Sequence, residues 1–175
     1  MRTQALKKIL SRKMFLILIS TDTRLMNGPV QSIVWNHILM QIWLFLIKIA
    51  EKIKKEYEKT SKISLLALAE KYEIKEINVV NSDGLIIDST ELDVIGNYDM
   101  NSKAQSKEFV DTLKKQESFV QEYSPRGKDE SVWRKYAAIN LNDGGFIQVG
   151  YDAEQFHKML NEFVVDVTKN RHVGT

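Results

Sequence analysis

Apolar residues recur along this chain with two periods, and the change between them falls close to residue 74. From Val30 to Ala50 the sequence VQSIVWNHILMQIWLFLIKIA is nearly continuous in apolar side chains and of helical, membrane-crossing length. From Glu51 to Glu73 the helical period continues without Gly or Pro. Ile49, Ile53 and Tyr57 recur every four residues, and Ile63, Leu66 and Ala67 widen the stripe toward the end that would dock on a sheet. Beyond Lys75 the period becomes two. Ile77 to Val80 and Leu85 to Ser89 read as strands, joined through Ser82-Asp83-Gly84, where glycine permits a positive φ.

The same alternation resumes after a polar, turn-rich loop from Thr90 to Ser102. Asn101 to Lys115 reads as a short helix with Phe109, Val110 and Leu113 on one face and Ser102 or Asn101 as its cap. Ser118 to Tyr123 reads as a strand ended by the turn Ser124-Pro125-Arg126-Gly127. Val132 to Leu141 and Phe146 to Tyr151 form a hairpin around Asn142-Asp143-Gly144-Gly145. A last helix, Ala153 to Lys169, carries Phe156, Met159, Leu160, Phe163, Val164 and Val167 as a core stripe. This order predicts an α+β fold, a long N-terminal helix leading into a five-stranded antiparallel sheet with flanking helices.

Composition narrows the function more than the fold. A chain of 175 residues, 43% hydrophobic, supports one core plus an extended lead-in. The 25 basic residues are interleaved with 23 acidic ones for a net charge of +2, which argues against a nucleic-acid partner. The absence of cysteine removes disulfides, thiolate metal sites and Cys nucleophiles. Arg2, Lys7, Lys8, Arg12, Lys13 and Arg24 make the start basic, and Asn27-Gly28-Pro29 breaks the chain before the long apolar run. No small-residue cleavage site follows Met14 to Ile19, so the segment is expected to be retained. By the positive-inside rule the N-terminus is then cytoplasmic and the sheet lies outside. An interfacial or partner-packed helix and a purely soluble helix are the alternatives for residues 30–50.

The residues offer little for catalysis. His37, His157 and His172 are scattered and assemble neither H-E-x-x-H nor a triad order. Asp83-Gly84 and Asp143-Gly144 are turn residues without the strand-loop-helix context of a phosphate cradle. Asp93, Asp99 and Asn101 are the candidates for crowding a cation, without a calcium-loop pattern. No catalytic residue, metal ligand or cofactor is expected.

A binding face is better supported. Alternation places Trp133, Lys135, Ala137 and Ile139 on one face of their strand and Val132, Arg134, Tyr136 and Ala138 on the other. Arg134 beside Tyr136 suits a carboxylate by charge-assisted pairing and apolar enclosure. Tyr123, Gln148, Tyr151 and Asp152 stand where they would complete the pocket. The plainer alternative makes Trp133 and Tyr136 core, Arg134 a surface residue, Gln148 an exposed amide and Asp152 the cap of the last helix.

These segments together resemble a Cache module, the PAS-like extracellular sensor of bacterial receptors. The resemblance runs from Lys52 to about Lys169. It is carried by INVVNSDGLIIDST, the IGNYDM loop, QSKEFVDTLKK, SFVQEYS, VWRKYAAINL and GGFIQVGYDAEQF. It implies a basic segment (1–29), a transmembrane helix (30–50), a helical stalk (51–73), a sensor module (74–169) and a linker toward a second module (170–175). In amine-binding relatives an Asp at the junction matched by Asp152 pairs the ligand's ammonium. The implied function is extracytoplasmic sensing of a small molecule, a carboxylate or an amine, by a membrane receptor that is not itself an enzyme. Membrane contact would run through residues 30–50 and a homodimer through the stalk. A module that binds no ligand and serves structure or dimerisation is the alternative.

Overall fold

Proline at the first helical position is pre-organised for a helix and loses no needed N–H, and the first described helix, α1, begins at Pro29 and runs to Lys59. The computed structural model describes residues 29–59, 64–152, 154, 155 and 158. It divides into two compact units, Met1–Gln41 with Phe163–Thr175, and Ile42–Glu162. The second holds the sheet. There α1 buries Ile42, Leu46, Ile49, Ala50 and Ile53, a stripe at helical spacing.

The expected span at residues 30–50 falls within this helix. Among the described residues no helix is long and apolar enough to cross a membrane. The 31 residues of α1 suffice in length; Gln31, Asn36, His37, Gln41 and Lys48 dilute the hydropathy. The single stalk of 51–73 also divides. The second helix, α2, spans Leu65–Lys71 and is capped by Ser64, whose hydroxyl accepts from the Ala67 amide at 3.4 Å. Residues 60–63 lie outside the described set. Serine favours a cap over a helix interior because its hydroxyl bonds nearby backbone. Lys71 and the hydroxyl of Tyr72 both bond the Glu56 carboxylate, Lys71 at 2.7 Å, which ties α2 to α1. Glu73 then turns the chain at φ 52, and Ile74 donates to the Ala69 carbonyl at 2.8 Å.

Among the described residues six strands follow: β1 (Glu76–Val80), β2 (Ile86–Ser89), β3 (Ser118–Val120), β4 (Ser124–Pro125), β5 (Trp133–Asn140) and β6 (Phe146–Tyr151). All pair antiparallel in the order β2-β1-β6-β5-β3, with β4 also on β5. The α+β class is as expected. The extra strand arises because β3 stops at Val120, and Ser124–Pro125, expected as a turn, pairs with Arg134 and Trp133. Every residue of β1 and β6 is buried, so the centre of the sheet is covered on both faces.

Helix α3 (Ala104–Leu113) covers one face. It sets Phe109, Val110 and Leu113 against Val80, Ile86, Met100, Tyr136, Ala138 and Phe146. Its C-terminal carbonyl is satisfied by Asn140, whose amide donates to Leu113 at 2.9 Å. The opposite face carries Ile77, Val79, Ile147 and Val149, all at most 1% exposed. There α1 reaches the end of β5, where Lys54 donates to the Asn140 carbonyl at 2.8 Å. The expected helix Ala153 to Lys169 lies largely outside the described residues, as do residues 1–28 and the linker 170–175.

Candidate functional site

The strand register writes the face beneath α3 as three rows. Glu76, Gly150 and Tyr136 are opposite one another across β1, β6 and β5. The next row is Ser89, Asn78, Gln148 and Ala138, and the third is Ile86, Val80, Phe146 and Asn140. One face therefore passes from charged to apolar within three rungs.

The first row is held by a buried carboxylate. Glu76 is 3% exposed, and a charge so placed must be paired and hydrogen-bonded. Its Oε1 accepts from Arg126 at 2.9 Å and from the Asn78 amide at 2.9 Å, and its Oε2 accepts from the Tyr136 hydroxyl at 3.0 Å. Arg134 Nε lies 3.8 Å from the same Oε2. Arg126 also binds Glu91. Burial opposes the charge on Arg126, and the facing Glu76 and Glu91 carboxylates outweigh it and raise its pKa. Burial, reinforced by the Glu76 charge, raises that of the Tyr136 phenol.

Two glycines make the arrangement possible. A Cβ at Gly150 would stand 2.6 Å from Tyr136 Cε1, so only glycine lets that ring lie across β6 and reach Glu76. A Cβ at Gly127 would collide with the Tyr98 hydroxyl and Gln105 Oε1, so glycine also lets the loop after β4 close on α3. The second row completes the network, with Asn78 donating to Gln148 at 3.0 Å and Ser89 donating to Asn78 at 2.7 Å.

Beside this network is a cavity of ≈ 20 Å³ walled by Glu76, Asn78, Tyr98, Arg126, Tyr136 and Gln148 among others, room for about one water. A wider groove of ≈ 420 Å³ lies between α3 and residues 121–130, and Gln105, Arg126 and Gly127 line both spaces. Gln121, 4% exposed, clamps this boundary. It accepts from Gln105 at 2.6 Å and donates to Glu108 at 2.6 Å. Two buried donors, Arg126 Nε and Arg134 Nε, have no hydrogen-bond partner.

The residues singled out in the sequence separate in space. Tyr136 and Gln148 line the cavity, and Arg134 borders it through Glu76. Arg134 is 9% exposed rather than a surface residue. Trp133 packs against Tyr123 with ring centroids 5.5 Å apart, and neither lines the cavity or the groove. Tyr151 pairs with Lys135 and so faces the other side of the sheet, its hydroxyl buried and unpartnered and its pKa raised by burial. Asp152 takes the capping role, accepting from the Gln155 amide at 2.8 Å. Of the cation candidates, Asp93 pairs with Lys128, and Asp99 accepts from the backbone and side chain of Asn101.

Glu76, Asn78, Gln105 and Arg126 are not among the residues that the sequence pattern singles out. Alternation in EINVV puts Glu76 and Asn78 on one side, a pattern that ordinarily marks a solvated face. Gly150 inside a strand was the available sign of a close approach.

No family model matches the chain, and no curated protein matches it. Among solved structures, an extracellular ligand binding receptor from Desulfohalobium retbaense is similar, with 13% identity and a TM-score of 0.48 over 73% of this chain and 26% of that one. The chain thus spans about a quarter of that structure's length.

Proposed function

We propose that this chain is a small-molecule sensing module of an extracytoplasmic signalling receptor, without catalytic activity of its own. The observation that carries the reading is the ≈ 420 Å³ groove that shares Gln105, Arg126 and Gly127 with the wall of a buried polar network. Its size lies in the range of small-molecule sites. Convergent polar groups such as Gln105, Gln121 and Arg126 are what such a site uses to orient a ligand. The Cache resemblance of residues 52–169 and the order of helices leading into an antiparallel sheet support the receptor assignment.

Side-chain bonds at either end, joined by the chain between Tyr72 and Glu76, connect this groove to α1. Arg126 lines it and binds Glu76, the first residue of β1. That strand follows α2, and Tyr72 beyond α2 bonds Glu56 of α1. A ligand that moves Arg126 acts on the strand that anchors the helices, and α1 carries the response.

Thermal-shift titration of the full chain against amines, amides, amino acids and carboxylates tests the reading. A saturable rise in melting temperature is expected for a binder, because ligand bound to the native state alone stabilises it by mass action. That response should be lost in Gln121→Ala, which opens the clamp. Indifference to every class would overturn the reading. A second reading is favoured by the small inner cavity and by exposed Trp43 on α1: the sheet binds nothing and the module dimerises. Sedimentation of the chain, with and without Trp43→Glu, separates the two.

A further inference from the structure

We propose that Glu76 is a resident carboxylate, the chain's own occupant of an anion-recognition site formed by Arg126, Arg134, Tyr136 and Asn78. The ligand of this face is then neutral or cationic, not a free carboxylate. The inference deepens the sensing reading and rests on it for the ligand, while the occupancy of the site stands on geometry alone.

The donors around Glu76 are those a receptor would present to an external carboxylate. A guanidinium and an amide approach one oxygen, each at 2.9 Å, and a phenol approaches the other at 3.0 Å. A second guanidinium stands with its Nε 3.8 Å away, within ion-pair distance and without a hydrogen bond. These donors converge from β1, β5 and the loop after β4, so the set is assembled by the tertiary fold and is not a local turn. Glu76 fills it from within, leaving only ≈ 20 Å³ beside the carboxylate. An external carboxylate would have to displace a covalently tethered one, whose effective concentration is high.

The outer groove agrees with this division. Glu108, Glu122 and Glu130 line it together with Lys103 and the already paired Arg126, so its walls do not attract an anion.

Glu76→Ala should empty the site and turn it into a receptor for small carboxylates. The full-length variant is refolded from urea in sodium formate or in sodium chloride of equal ionic strength. The expected result is higher recovery in formate and a saturable gain in melting temperature. The gain should be roughly 5 °C at about a hundred times the formate dissociation constant. Equal behaviour in the two salts, including failure to recover in either, overturns the proposal. On the wild-type chain, formate and acetate should leave the melting temperature where chloride leaves it. A saturable shift there would show the guanidinium pair open to external anions and would also overturn it. The sensing reading fails separately, by indifference of the wild-type chain to every ligand class.

Discussion

The two ends of the face beneath α3 stand on the same strands and the same helix, yet they are built on opposite principles. At one end Phe109 lies with its ring centroid 5.1 Å from Phe119, 6.1 Å from Tyr136 and 6.5 Å from Phe146. Burial there is non-directional, and many small contacts add up. At the other end Glu76 depends on a few directional bonds, each of which needs its partner. A buried ion pair contributes little net stability over an apolar pair of the same volume, whereas removing one member is costly. The apolar end therefore holds α3 on the sheet, and the charged end fixes Glu76 in one arrangement, which in the proposed sensing module sets what can bind beside it. Tyr136 joins them, with its ring on Phe109 and its hydroxyl on Glu76.

The sharpest way to break this contrast is to remove the centre of each end. Phe109→Ala should cost about 3–5 kcal/mol in urea unfolding, as for other large-to-small core changes. Glu76→Ala should cost a similar ~3–5 kcal/mol by leaving guanidinium charge buried and uncompensated. The two differ in remedy, since formate should restore the second and leave the first unchanged.

Smaller effects test the joint. Gly150→Ala places a methyl against the Tyr136 ring and should cost roughly 1–3 kcal/mol by overpacking. The same denaturation assay should show that loss shrinking in Tyr136→Leu, where the ring is gone. Alkaline titration probes the buried phenols. Tyr136 and Tyr151 have folded pKa values raised by burial above the unfolded value near ~10. The unfolded chain thus deprotonates first. Their contribution is complete below about pH 10 and is lost as pH rises through the folded values, by up to ~1.4 kcal/mol per pH unit per tyrosine. Tyr136→Phe should flatten that fall in melting temperature measured from pH 9 to 11. The smallest change is expected of Glu56→Gln, which loosens an exposed contact between α1 and Lys71. It should leave stability nearly unchanged and instead weaken the transfer of a ligand response to α1, read by hydrogen exchange of that helix.

Local rules carried most of the fold. β6 begins and ends where alternation between Gly145 and Asp152 predicted, and glycine marks both hairpin turns, at φ 91 for Gly84 and 86 for Gly144. Alternation also assigned Tyr136 and Trp133 to opposite faces, and the structure places Tyr136 under α3. What local rules missed was non-local. The short pairing of Ser124–Pro125 depends on Arg134 and Trp133. The break between α1 and α2 needed Ser64 to be weighed as a cap within a helical run.

The site was less legible because its members come from distant segments. Periodicity tells which side of its own strand a residue occupies, and for Arg134 and Tyr136 that sufficed. It cannot tell that residue 126 returns over residue 76, since that follows from strand order and from the path of the loop after β4. The sequence by itself determined most of the elements, their alternation and the glycines that allow close approach. Only the tertiary structure decided that Glu76 faces Arg126, because pairing two buried charges fifty residues apart is a property of the assembled sheet.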